Sequence, residues 1–247
     1  MTPTPTWDDQ MEALKGVADE LLGTWRPEGA TEAELQDMNK LALSILACGY
    51  LCHVYTDSRR PVFMPLWNYA FNQGGPNPDF VYSNAEIDPN GVYQISGYRG
   101  TTRFVEITQR KDNLMTESQV DVLDDSPLTL TLDLDDLLLD QDGYFSALLS
   151  AERPEGYGGD WWFLDPRAHG LLMRRCSCDW NREVDAGVAI NRLDDGGSDM
   201  SPEEIARRFS NMAIWIEGMI GYDTKLVRYY RQHHGINTLL HGQPLGW

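Results

Sequence analysis

The chain carries a carboxylate and a phenol suited to acid–base chemistry, with an asparagine beside them, within one turn-rich segment. Asn77, Asp79 and Tyr82 lie in GGPNPDFVY, between a Gly-Gly turn and a strand-like run. Pro78 restricts the backbone before Asp79, which would hold that carboxylate rigidly as a base, and the nearby phenol can donate or accept a proton. The alternative is a simple turn in which Asn77 and Asp79 bind their own backbone.

Arginines are the second set of candidates. Arg99 lies in a GYRG turn, Arg103 in the strand-like run after it, and Arg174 in the apolar segment GLLMRRC. A guanidinium among apolar residues needs a polar partner, so a structural ion pair is one interpretation. The other is an arginine that faces a cavity and orients a substrate carboxylate or carbonyl. Acidic partners are available at Asp79, Glu106 and Asp179.

Aromatic residues cluster in 63–82 and 157–163 and would suit a pocket for a small apolar or aromatic metabolite, although they would equally suit a core. We therefore predict Asp79 as the base, Tyr82 as the acid or oxyanion donor, and Arg103 or Arg174 as the orienting cation. The predicted substrate-binding residues are Asn77, Trp67, Trp161 and Arg99.

The sequence predicts neither a metal nor a cofactor. Cys48 and Cys52 lie one helical turn apart and Cys176 and Cys178 share a strand face, so the two pairs could in principle meet around zinc. Cys-x-Cys, however, lacks the usual zinc spacing, and the helical pair continues an apolar stripe. Fingerprints of dinucleotide, nucleotide, serine-hydrolase and zinc-protease sites are missing from the sequence.

Several motifs occur in a recognisable order: RPVF, GGPNPDFVY, GVYQISGYRGTTRF, DWWFLDP, GLLMRRCSCDW, INRLD and SPEEIARRF followed by IEG. Over residues 35–220 the chain resembles bacterial proteins that carry the domain of unknown function 1214, often found beside its relative 1254. The family has no settled activity, so the resemblance implies a fold and candidate positions but no reaction. Pro76 replaces a common acidic residue of that family, and Cys176 and Cys178 replace aromatic ones.

Composition narrows the possible partners. Thirty-eight acidic and twenty basic residues give a formal charge of -18, which repels nucleic-acid phosphates and anionic lipid surfaces. The start of the chain has neither the basic flank nor the apolar core of a signal peptide, and the longest apolar run is too short to span a bilayer. We therefore expect no nucleic-acid partner, no membrane partner and a cytoplasmic location.

Periodicity predicts an α+β fold with N-terminal helices, a mostly antiparallel β-sheet or sandwich core, and a C-terminal helix. Helices are expected from Thr6 to Gly23, after Thr31, and after Ser201. Turns at 88–91 and 97–101 suggest an antiparallel meander. Strand candidates lie near 80–87, 91–98, 102–109, 128–134, 161–165, 170–178 and 187–193.

We expect one domain over residues 1–247, with a helical part at 1–57, a β-rich core at 58–195, a closing helix at 200–235 and a packed tail at 236–247. The apolar tail would cover its own domain or a neighbouring subunit in a homodimer. The leading functional hypothesis is a cofactor-independent enzyme that acts on a small, largely apolar metabolite by acid–base proton transfer, as a lyase, hydratase or isomerase. The alternatives are a non-catalytic small-molecule binding protein and an interaction module that uses the apolar C-terminal segment.

Overall fold

The computed structural model describes residues 6–26, 28–67, 77–111, 130–197 and 199–233, with the backbone alone at 13, 17–21, 24, 25 and 220–233. Within these ranges the regular elements follow in the order α1 (Trp7–Trp25), α2 (Glu32–Gly49), β1 (Met64–Pro65), β2 (Phe80–Glu86), β3 (Tyr93–Tyr98), β4 (Phe104–Arg110), β5 (Thr131–Asp133), β6 (Tyr144–Ser150), β7 (Asp160–Phe163), β8 (Gly170–Cys176), β9 (Gly187–Arg192) and α3 (Pro202–His233). The predicted α+β class is confirmed.

The helix starts follow from capping residues that the sequence displays. Thr31 accepts a hydrogen bond from the Glu34 backbone N–H, while the Glu34 carboxylate accepts one from the Thr31 N–H, and the same exchange joins Thr6 and Asp9. Ser201 accepts from the Glu204 N–H at 3.2 Å at the start of α3. Each side chain satisfies a backbone donor that has no partner within its helix, and these predicted starts are confirmed.

The end of α2 was not foreseen. Beyond Gly49 the helix continues as a wider π-helical segment, Tyr50–Tyr55. At Gly49 a Cβ atom would lie 3.1 Å from the Trp215 ring, so glycine permits α3 to pack closely at this point. The predicted apolar stripe continues from α2 into this segment, since Cys48 of α2 and Cys52 of the π-helical segment are both buried.

The strands form two sheets that pack face to face. The larger sheet has the order β1-β2-β8-β4-β5 and the smaller sheet β7-β6-β3-β9, and every pairing is antiparallel except that of β6 with β7. Alternate residues of both sheets fill the core between them, among them Ala85, Ile95, Val105, Leu149, Met173 and Ile190.

The predicted meander is wrong. β2 pairs with β8 in the larger sheet, whereas β3 pairs with β6 and β9 in the smaller one, and the chain then returns to the larger sheet at β4. The turns at 88–91 and 97–101 therefore cross between sheets. Alternation along a strand shows which side chains face the core, but both sheets share that core, so alternation does not assign a strand to either sheet.

The helices cover part of the larger sheet's outer face, which is the face turned away from the core. The π-helical segment contacts β1 and β2 and also packs on α2 and α3. A second apolar cluster forms there, built from helical residues such as Cys52, Met212 and Trp215 together with Leu66, and Tyr82 and Leu172 pack against it. None of the helices in the described part of the chain is long and apolar enough to cross a membrane. The predicted tail and its homodimer role concern residues 236–247, outside the described ranges.

Candidate functional site

The register of the larger sheet places three polar side chains in one row. Tyr82 of β2 lies opposite Arg174 of β8, and Arg174 lies opposite Glu106 of β4. Their neighbours along the strands face the core, so this set, which we call the Arg174 row, lies on the outer face. The row joins a phenol, a guanidinium and a carboxylate across three neighbouring strands.

Arg174 is held by an acid on one side and by two aromatic rings. Its Nη2 donates a 2.6 Å hydrogen bond to Glu106 Oε2, with 42% of the arginine side chain and 30% of the glutamate side chain exposed. The guanidinium carbon lies 5.6 Å from the centroid of the Phe80 ring and 5.1 Å from that of Phe104. These are cation–π distances, so the rings orient the guanidinium while part of it reaches solvent.

Charge keeps Arg174 protonated in this position. Partial burial acts to lower the pKa of Arg174, but the hydrogen bond and charge of Glu106, together with the Tyr82 hydroxyl, outweigh burial and raise that pKa. A permanent cation with remaining N–H donors can bind a carboxylate or a carbonyl oxygen.

Tyr82 connects the row to the helical side of the sheet. Its ring lies 5.5 Å from the Trp67 ring at 76°, and 6.3 Å from the Phe80 ring at 24°. The Trp67 Nε1 is buried, and it has no hydrogen-bond partner among the described residues. A buried indole N–H usually finds an acceptor, so the Trp67 donor, which has no partner within the described residues, is available beside the aromatic rings of the row.

Asn77 and Asp79 form the turn that precedes β2. Asn77 Oδ1 accepts a hydrogen bond from the Asp79 N–H at 3.0 Å. This is the local turn that the sequence offered as the alternative to a site. Asp79 is exposed; its carboxylate accepts from Trp180 Nε1 at 3.2 Å, and its carbonyl accepts from the Ser177 N–H at 2.9 Å. Asp79 therefore adjoins Phe80 at the end of the site, while its carboxylate is engaged by an indole.

The remaining candidates lie elsewhere. Arg99 is buried and donates to both oxygens of Asp135, at 2.6 and 3.1 Å, which is the structural ion pair considered from the sequence. Arg103 is exposed and lies just before β4, not within it. Trp161 belongs to β7, at an edge of the smaller sheet, and donates to Ser150 Oγ at 3.0 Å. The structure thus brings together Tyr82, Arg174 and Trp67.

Sequence reasoning missed Phe80 and Phe104 as site residues and considered Glu106 only as a possible ion-pair partner. The usable signal was alternation, because 80 and 82 in one strand and 104 and 106 in another each share a face. What the sequence could not supply was the pairing of both strands with β8.

The cysteines provide no metal site in the described part of the chain, where no three His, Cys, Asp or Glu side chains come together as ligands. Cys176 is buried and lies opposite both Phe80 and Phe104 in the register, and burial with the neighbouring Cys178 raises the pKa of the Cys176 thiol. In the helical layer, a hydrogen bond with Cys48 and burial raise the pKa of Cys52.

A separate cleft of about 720 Å³ opens between the end of α1 and the start of α2. Leu22, Arg26 and Leu35 are among the residues that line it. None of the candidate side chains borders this cleft, so it has no part in the chemistry considered above.

Comparison with solved structures supports the fold alone. A putative uncharacterized protein from Burkholderia cenocepacia superimposes with a TM-score of 0.75 at 23% identity, over 92% of this chain and 61% of that chain. This chain therefore spans about three fifths of that protein's length. The VPA0106 protein from Vibrio parahaemolyticus is also similar, with a TM-score of 0.36 at 14% identity over 74% of this chain and 52% of the other.

No protein-family model matches the chain. No curated protein matches it either. The resemblance to the domain of unknown function 1214 therefore stays a prediction.

Proposed function

We propose that the chain binds a small, largely apolar organic acid at the Arg174 row and acts on it by proton transfer without a cofactor. The observation that carries this proposal is the half-exposed guanidinium of Arg174, oriented by two phenylalanine rings and by Glu106. A cation beside adjacent aromatic rings suits a ligand that joins a carboxylate or carbonyl to a hydrophobic body. We also propose the cytoplasmic location and the relationship to the domain of unknown function 1214 that the sequence suggested.

In the proposed reaction, Arg174 orients the ligand's carboxylate or carbonyl oxygen. The Tyr82 hydroxyl supplies a hydrogen bond to the oxygen on which negative charge develops. Glu106 adjoins the guanidinium and is the better placed carboxylate to accept a proton, while Asp79 at the end of the row is the second candidate base.

A non-catalytic binding protein is the second candidate, and a specific observation favours it. Both carboxylates near the row already accept hydrogen bonds, Glu106 from Arg174 and Asp79 from Trp180. A base must be free to take a proton from the ligand. If ligand binding does not release either carboxylate, the same site would bind the organic acid and leave it unchanged.

The experiment combines binding with proton exchange. A panel of aromatic and alicyclic carboxylic acids and matching ketones is titrated by calorimetry, and each ligand that binds is then incubated with the protein in deuterated water and followed by NMR. The enzyme proposal predicts deuterium uptake or product formation, reduced about a hundredfold or more in Glu106→Gln with binding retained.

The matched variant Asp79→Asn removes the other candidate base. A hundredfold loss in Asp79→Asn but not in Glu106→Gln would assign the role of base to Asp79. Saturable binding without exchange or turnover of any ligand would support the carrier and contradict the enzyme. Failure of every acid and ketone to bind would contradict both.

A further inference from the structure

The outer face of the smaller sheet carries several exposed side chains, among them Tyr144, Ser146, Phe163 and Asn191. In the described part of the chain, the helical layer packs on the larger sheet, where the π-helical segment contacts β1 and β2. Residues that alternate with the core positions Ile95 and Ile190 make up this face. We call it the open face. Its most exposed large side chain is Tyr144, at 56%.

Polar side chains occupy the middle of the open face. Gln94 lies opposite Leu148 on one side and Asn191 on the other, and Ser96 lies opposite Ser146. Gln94 Nε2 donates to Ser146 Oγ at 2.9 Å, which orders the amide across two strands. The middle of the face thus offers amide and hydroxyl groups as donors and acceptors.

Aromatic side chains lie at both ends of the face. Tyr98 and Tyr144 pair at one end, with ring centroids 5.6 Å apart, and Trp161 and Phe163 pair at the other, 6.3 Å apart. Leu148, which is opposite Trp161, lies four residues from Tyr144 along β6, so the aromatic ends are separated by roughly 13 Å along the strands.

The Trp161 ring is held in place by the fold. Trp161 Nε1 donates to Ser150 Oγ at 3.0 Å, and that hydroxyl donates to the Glu152 carbonyl at 2.7 Å. A ring fixed in this way loses little conformational entropy when it stacks on a ligand.

We propose that the open face binds a neutral oligosaccharide. A sugar ring presents a face of C–H groups, which aromatic rings cover, and a rim of hydroxyls, which amides and serines can bind. The aromatic ends and the polar middle match that alternation along an extended chain. The formal charge of -18 disfavours acidic glycans, so the sugar units should be uncharged.

A second copy of the chain fits this surface less well. The core of a homodimer interface is more apolar than an average surface. The middle of the open face is instead built from side chains such as Gln94, Ser96 and Asn191. The proposal is also independent of the Arg174 row, because the two sites use opposite sheets and share no residue.

The test is a calorimetric titration with soluble cello-, xylo- and manno-oligosaccharides of four to six units, using Trp161→Ala, Tyr144→Ala and the control Trp7→Ala. Trp7 is 68% exposed but belongs to α1, away from the smaller sheet. We expect saturable binding of at least one series, weakened about tenfold by each open-face variant, as loss of a stacked ring implies, and unchanged by the control.

Circular dichroism and thermal melting check that each variant is folded, and Trp161→Phe, which keeps an aromatic ring, should retain more affinity than Trp161→Ala. No binding of any of the three series would overturn the proposal. An equal loss in Trp7→Ala would also overturn it. So would concentration-dependent dimerisation that Trp161→Ala abolishes, because the face would then be a self-association surface.

Discussion

Arg208 of α3 donates two hydrogen bonds of 2.8 Å to the carboxylate of Glu86 at the end of β2. The same guanidinium donates to the Thr56 carbonyl at 2.6 Å, and only 5% of the arginine side chain is exposed. This buried ion pair joins the closing helix to the larger sheet and to the segment that follows the π-helical turn. The helical layer is thereby fixed against the edge of the sheet that carries Tyr82.

Removing one member of this pair should strongly destabilise the protein. Arg208→Met leaves the Glu86 carboxylate partly buried without its bidentate partner, so we expect a loss of about 3–5 kcal/mol in the free energy of unfolding. The measurement is denaturant unfolding followed by tryptophan fluorescence. Arg182→Met, whose side chain is 87% exposed, is the control and should change stability by less than about 0.5 kcal/mol. Equal effects in the two variants would show that the ion pair is not needed.

His53 predicts a pH dependence of stability. Its ring is buried 5.5 Å from the Trp215 ring, and burial, followed by the charge of Arg208, lowers the pKa of His53 from 6.5 to about 3. As the pH falls below 6.5, His53 becomes protonated in the unfolded chain but stays neutral in the folded chain. The stability that neutral His53 supports is therefore present above pH 6.5 and is lost toward pH 3, at up to roughly 1.4 kcal/mol per pH unit.

In His53→Phe, which keeps a ring of similar shape, this loss should disappear. Between pH 6.5 and 4.5, the wild type should lose about 2 kcal/mol more unfolding free energy than the variant. Denaturant unfolding across that range measures the shift. His169→Gln, at an exposed histidine, is the control and should follow the wild-type curve. Parallel curves for His53→Phe and wild type would contradict the assignment.

Alanine substitutions at two glycines distinguish the cost of a strained backbone from the cost of a steric clash. Gly100 and Gly156 both have positive φ, at 69° and 74°. A Cβ at Gly100 would lie 2.4 Å from the Val184 carbonyl oxygen, whereas a Cβ at Gly156 would meet nothing within 4 Å. Gly156→Ala should cost about 1 kcal/mol through its left-handed backbone. Gly100→Ala should cost at least about 2 kcal/mol more, because the Val184 segment must also move. Equal losses in thermal unfolding would show that this contact can relax.

Local structure could be predicted where short-range chemistry decides it. The capping residues Thr31 and Ser201 predicted the starts of their helices. All seven strand candidates overlap observed strands. β6 was missed because its residues from Ala147 to Ser150 are all buried, so it lacks the alternation that marked the other strands. The π-helical segment was missed because its residues continue an ordinary helical pattern.

The candidate site could be predicted only in part for the same reason. Tyr82 and Arg174 were identified by residue type, and the structure places them side by side. Glu106 lies in the row because β4 pairs with β8, although Glu106 and Arg174 are 68 residues apart in the sequence. Periodicity along a strand does not specify such a pairing. For Arg99 the sequence could not choose between its two interpretations, because an arginine in a turn has the same local sequence whether it binds a ligand or, as here, pairs with Asp135.

The most direct test of the Arg174 row compares one aromatic carboxylate with its primary amide, titrated by calorimetry against wild type, Arg174→Gln and Arg103→Gln. The wild type should prefer the carboxylate by about tenfold or more, as charge-assisted hydrogen bonds imply. Arg174→Gln should abolish that preference, while Arg103→Gln, at an exposed arginine outside the row, should keep it. A preference that survives in Arg174→Gln, or that is lost in Arg103→Gln, would contradict the assignment of the site.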